Sequence, residues 1–178
     1  MEIKEHTTPD RLEYYAFMWS LARLVIAALS LFFGATPIAY HLLGFSGTAT
    51  LLPLFWLISG AAAVYLGYRW HVGGQKLFGR TDQKERIAFL VMAITGINLG
   101  LVSITGTNFG MGLIYNMPIA QIFFVITAAL YLYVAWQLWT AWNANGKQLF
   151  STSTPAPKTE SGEVTASTTE ASETRMEE

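Results

Sequence analysis

Cysteine is absent from this chain of 178 residues, so neither a disulfide frame nor a thiolate ligand is available to it. Charge is scarce as well. Asp, Glu, Lys and Arg make up 13% of the residues, where a soluble domain carries about 25%. Acids are scarcer still in the body of the chain: between Tyr14 and Asn145 the only ones are Asp82 and Glu85, set close together. The formal net charge is -1. These shortages exclude an ordinary water-soluble globule, a disulfide-stapled secreted domain and a nucleic-acid binder with a basic face. What the chain has in plenty is apolar surface, 52% of it hydrophobic and 14% aromatic.

That surface falls into four runs, about 14–35, 51–70, 87–106 and 118–142. Each holds about 20 residues or more, enough at roughly 1.5 Å per residue to cross a hydrocarbon core of about 30 Å. The expectation is an all-α integral membrane protein with four transmembrane helices in an antiparallel bundle. Residues 1–150 form its membrane domain. Thr8-Pro9 reads as the start of the first helix, and Asp82 with Glu85 has the spacing of a capping box for the third. Asn116 before Pro118 opens the fourth, and Gly146 is placed to end it.

Lys and Arg set the orientation. Lys4 and Arg11 precede the first run, Arg69, Lys76, Arg80, Lys84 and Arg86 lie around the second connection, and Lys147 and Lys158 follow the fourth run. The stretches Thr36–Thr50 and Thr107–Met117 hold neither residue. Both termini are therefore expected in the cytoplasm of a cell membrane, plasma or bacterial inner. Tyr14, Tyr15, Trp19, Tyr65, Tyr68, Trp70, Trp136, Trp139 and Trp142 mark the inner span ends as an anchoring belt, while Tyr40 and Tyr115 lie in the outer loops. The first run is longer than the roughly 7–15 apolar residues of a cleavable signal, so it reads as a span. After Phe150 the composition turns to Ser, Thr and Glu. Residues 151–178 then read as a disordered cytoplasmic tail that lacks the apolar surface to offset its ordering entropy.

The two halves echo each other faintly. Ala16-Phe17 matches Ala88-Phe89, Gly34 matches Gly106, and Phe55–Ser59 resembles Phe123–Thr127. Duplicated hairpins that both start inside would form a parallel repeat.

Few residues could carry chemistry. Gly96 and Gly100 form a GxxxG pattern that Ser103 extends, and Ala63 with Gly67 offers a similar spacing on the second run. Small residues let helix backbones approach, either inside one bundle or across an oligomer seam. Arg23 is the lone charge well inside a run. A guanidinium there costs roughly 2.5–3.5 kcal/mol on insertion scales. Snorkelling to the interface, a lipid contact, or a place on a solute path with Thr95 and Asn98 would each account for it. Thr95, Asn98, Gln121 and Thr127 would join helices or line such a path. The basic set Arg69, Lys76, Arg80, Lys84 and Arg86 fits headgroups or a cytoplasmic partner.

Inventory removes several cofactors. His6, His41 and His71 lie outside or at the ends of the runs, which leaves no haem ligand in the membrane. There is no intramembrane Lys for retinal, no arginine ladder, and no clustered ligand set for a metal. Gly74–Thr81 approaches a phosphate loop in spacing, but it lies between membrane helices rather than between a strand and a helix. The expected function is thus non-enzymatic, without cofactor: a structural or accessory subunit in the lipid bilayer that packs with itself or with a membrane-protein partner. The alternative is a homo-oligomeric channel or transporter for a small solute.

Overall fold

The computed structural model describes residues 9–108 and 117–150. The expected cap at Thr8, the opening at Asn116, Tyr115 and the tail 151–178 lie outside the described residues. Four helices follow in order: α1 (Pro9–Phe32), α2 (Ala39–Val72), α3 (Gln83–Thr105) and α4 (Met117–Ala144). All four are long and apolar enough to cross a membrane, and no strand occurs among the described residues. α2 packs most extensively on α3 and α1 on α4, while α1 and α3 also touch across the centre of the bundle.

Local chemistry explains the boundaries. Asp82 accepts from the backbone N–H of Lys84 at 2.7 Å and of Glu85 at 3.4 Å, which occupies donors that the first turn of α3 leaves without partners. Glu85 does not complete the expected box, because its carboxylate is drawn to the Arg80 guanidinium instead. Replacing Asp82 by alanine is expected to cost about 1 kcal/mol, read by chemical unfolding in micelles. Gly106 closes α3 in the left-handed region at φ 71°, its N–H bonded to the Val102 carbonyl.

α2 departs from the expectation of a loop over residues 36–50. Its helix begins at Ala39 and is broken at Gly44, where φ 69° and ψ 176° interrupt the ladder. The wholly buried Thr48 donates its hydroxyl to the Ala39 carbonyl at 2.9 Å, a local bond that spans the break. The outer connection is therefore partly helical, and the continuous span starts at Gly44.

The two hairpins repeat each other at an offset of 72 residues. α2 ends with Gly74 at φ 74° and a bond from the Gln75 N–H to the Trp70 carbonyl; α4 ends with Gly146 at φ 65° and a bond from the Lys147 N–H to the Trp142 carbonyl. Each end runs on into a buried Leu-Phe pair, Leu77-Phe78 and Leu149-Phe150. Ring packing follows the same rule. Phe17 lies 6.0 Å from Trp142 and 6.4 Å from Phe78, and Phe89 lies 5.6 Å from Trp70 and 6.2 Å from Phe150. The matches at Ala16-Phe17 and Gly34 belong to this register. The likeness of Phe55–Ser59 to Phe123–Thr127 falls at a different offset and does not.

These rings form an aromatic cap in which the Phe78 N–H also bonds the Leu149 carbonyl at 2.8 Å. The stretch that approached a phosphate loop in spacing instead supplies Leu77 and Phe78 to the core. Truncating Phe78 to alanine should cost about 3 kcal/mol of unfolding free energy, through lost burial and the cavity left behind.

Candidate functional site

Glycines of the apolar helices α2 and α3 meet along one seam, and Arg23 of α1 reaches it. A Cβ placed on Gly60 would stand 2.6 Å from the Gly100 Cα, and one on Gly100 would stand 2.8 Å from the Gly60 Cα. Only glycine permits two backbones so close. One turn away, a Cβ on Gly96 would lie 2.6 Å from the Ala63 Cβ and 3.3 Å from Arg23 Nη2. Within one chain, Gly96 is thus placed against Ala63, and Gly100 against Gly60. Gly67 has open space where its Cβ would be and takes no part in the close approach. Ser103 donates its hydroxyl to the Pro53 carbonyl at 2.7 Å and so ties α3 to α2 further along.

Arg23 stands beyond the midpoint of α1 and is only 7% exposed. It does not snorkel. Nη2 donates to the Met92 carbonyl at 2.7 Å, and both Nη groups donate to Thr95 Oγ1 at 3.3 Å. Thr95 in turn donates to the Val91 carbonyl at 2.8 Å. Because Gly96 has no side chain, the guanidinium reaches the α3 backbone directly. Arg23 and Thr95 are also equivalent positions in the 72-residue repeat. Two equivalent residues that touch lie on the pseudo-two-fold axis relating the hairpins, so the buried charge sits at the centre of the bundle. Its Nε is buried without an acceptor, and Tyr131 of α4 is near enough to interact with it electrostatically.

Asn98 is not part of that group. Its amide donates to Asn108 Oδ1 at 3.2 Å, as the chain turns after Gly106. Gln121 is exposed on α4. Trp19, expected in the anchoring belt, donates its indole N–H to Ser59 Oγ at 3.0 Å, and its ring lies 5.9 Å from Phe55. Trp142 is buried in the cap, whereas Tyr14, Tyr15, Tyr68, Trp136 and Trp139 remain exposed.

The basic set divides by partner. Arg69 is paired with the buried Glu13, and Arg80 with the buried Glu85. The Glu85 carboxylate, by hydrogen bond and by charge, raises the Arg80 pKa above the ordinary guanidinium value, so Arg80 stays a cation. Lys76 and Lys84 are exposed and Arg86 is half-buried, and none of the three has an ion pair among the described residues. No group of three His, Asp or Glu side chains able to hold a metal occurs among the described residues.

No protein-family model, curated protein or solved structure matches this chain.

Sequence reading missed Gly60, Ser59 and Glu13. Ser59 and Gly60 open a run of small residues through Ala63, and that run was the available signal. Glu13 lies just before the first apolar run and was passed over, although it sits one helical turn before Phe17.

Proposed function

We propose that this chain is a multi-pass membrane protein acting without catalysis, as a structural or accessory subunit that works through helix packing and contacts with lipid or a partner. The helices run antiparallel, and both termini lie in the cytoplasm of a cell membrane. Glu13 beside Arg69 and Phe17 beside Trp142 bring the start of α1 to the ends of α2 and α4, as that order requires.

One observation carries the functional reading. Several polar side chains inside the spans bond neighbouring helices or chain segments, Arg23 on Met92 and Thr95, Trp19 on Ser59, Ser103 on Pro53, and Asn98 on Asn108, while Gln121 faces outward and Ser20 Oγ and Arg23 Nε are enclosed. Such bonds average about 0.6 kcal/mol each in membranes. Several together fix the mutual position of helices without offering a solute a row of free groups.

Native mass spectrometry of the protein released from nanodiscs tests the proposal. The expected result is the chain as a monomer or bound to a different membrane protein at fixed stoichiometry. A homo-oligomer that also conducts a solute in vesicles would overturn it in favour of the channel.

A further inference from the structure

The two sides of the aromatic cap are equivalent in backbone and in ring packing, yet they differ in charge. Lys76, Lys84 and Arg86 occupy positions whose partners in the repeat are Gln148, Leu12 and Tyr14. On the first side Glu13 is engaged by Arg69, while Asp10 lines one groove with Lys147, whose Nζ rests 5.9 Å from the Trp142 ring centre. On the second side the two acids are already engaged. Asp82 caps α3 and Glu85 holds Arg80. Among the described residues, Lys76, Lys84 and Arg86 are left there without an ion pair.

Arg86 is the most constrained of the three. Its Nε is enclosed with no acceptor, so the packed stem holds the guanidinium in place. The indole N–H of Trp70 is likewise enclosed and unpartnered. Trp70 packs against Phe89, which lies one turn from Arg86 on the same face of α3. A half-buried arginine and two exposed lysines thus lie on the stretch where α2 ends and α3 begins. In a membrane protein that place is the headgroup level.

We infer that this side of the cap binds the phosphate of an anionic phospholipid headgroup, with Arg86 as the fixed donor and Lys76 and Lys84 as supporting charges. The inference rests on the proposal that these helices span a bilayer. A guanidinium suits a phosphate because its planar fork presents parallel N–H donors to two oxygens. Basic residues near an anionic surface each strengthen binding by roughly fivefold.

The test uses the full chain in nanodiscs of phosphatidylcholine mixed with phosphatidylglycerol, with retained lipid read by native mass spectrometry. The wild-type protein should retain phosphatidylglycerol in preference to phosphatidylcholine. The triple variant Lys76→Gln, Lys84→Gln, Arg86→Gln should lose at least about tenfold of that preference. The double variant Arg11→Gln, Lys147→Gln, on the other side of the cap, should keep it. Equal retention by the wild type and the triple variant would overturn the site. Displacement of the lipid by millimolar inorganic phosphate would overturn the lipid as its source. Failure of the wild-type chain to enter nanodiscs at all would instead overturn the membrane reading, and it is seen separately.

Discussion

Gly100→Val should destabilise the bundle by about 3 kcal/mol, at the upper end of what overpacking a tight contact costs. The added Cβ meets the Gly60 Cα at 2.8 Å, and that neighbour is backbone. A clashing side chain turns to another rotamer, but a helix backbone yields only by moving the helix. Moving α2 from α3 also loosens the contacts at Gly96 and Ala63, because they belong to the same approach. Gly67→Ala supplies the contrast. It lies on the same α2 with nothing near its Cβ position, so removing a helix-interior glycine should leave stability unchanged or raise it by up to about 1 kcal/mol. Unfolding in mixed micelles with increasing SDS compares the two. Equal stability of the two variants would mean that α2 and α3 do not meet at these glycines.

Arg23→Glu should be the most damaging single change, with a loss of about 4 kcal/mol or more and little folded protein recovered. The guanidinium faces the Met92 carbonyl and the Thr95 hydroxyl. A carboxylate there would set acceptor against acceptor at the centre of the bundle, and no other Lys or Arg lies well inside a span to receive it. Arg23→Met separates charge from volume. It keeps most of the side-chain bulk, and it strands no partner: Thr95 still donates to Val91, and Met92 O is a helical carbonyl. Removing a buried charge in favour of a packed apolar group is often neutral or stabilising by about 1–4 kcal/mol. Arg23→Met should therefore fold at least as stably as the wild type. Arg23→Ala should lose about 2–3 kcal/mol, because nothing fills the space. The order Met, Ala, Glu from most to least stable, measured by the same unfolding series, is the signature of a packed central arginine.

The parts of the fold that the sequence made legible are those set by composition. Four apolar runs of spanning length are visible without any knowledge of what they touch, and so is the glycine pair on α3. What was hidden depends on which helix faces which. The run Ser59-Gly60-Ala61-Ala62-Ala63 offers a small residue to every side of α2, so only the register against α3 selects Gly60. Trp19 near the start of a span reads as an interfacial anchor until a serine on the neighbouring helix is found to take its N–H. Arg23 stood out as a lone charge, but the backbone carbonyl that receives it has no residue type and leaves no trace in a sequence. The repeat was faint along the helices because apolar side chains interchange freely there. It is plain at the helix ends, where left-handed glycines and the Leu-Phe pairs tolerate less exchange.

The most direct test is water access to the polar interior, and the absence of native cysteine leaves the background clean. Thr95→Cys and Asn98→Cys, introduced one at a time, would be treated in intact membranes with a membrane-impermeant thiol reagent from each side. A bundle whose polar groups are consumed by neighbouring helices should leave both thiols unreacted until the protein is denatured. Rapid modification of either thiol in the folded protein would mean that a water-filled path reaches the bundle centre, and it would contradict the structural reading.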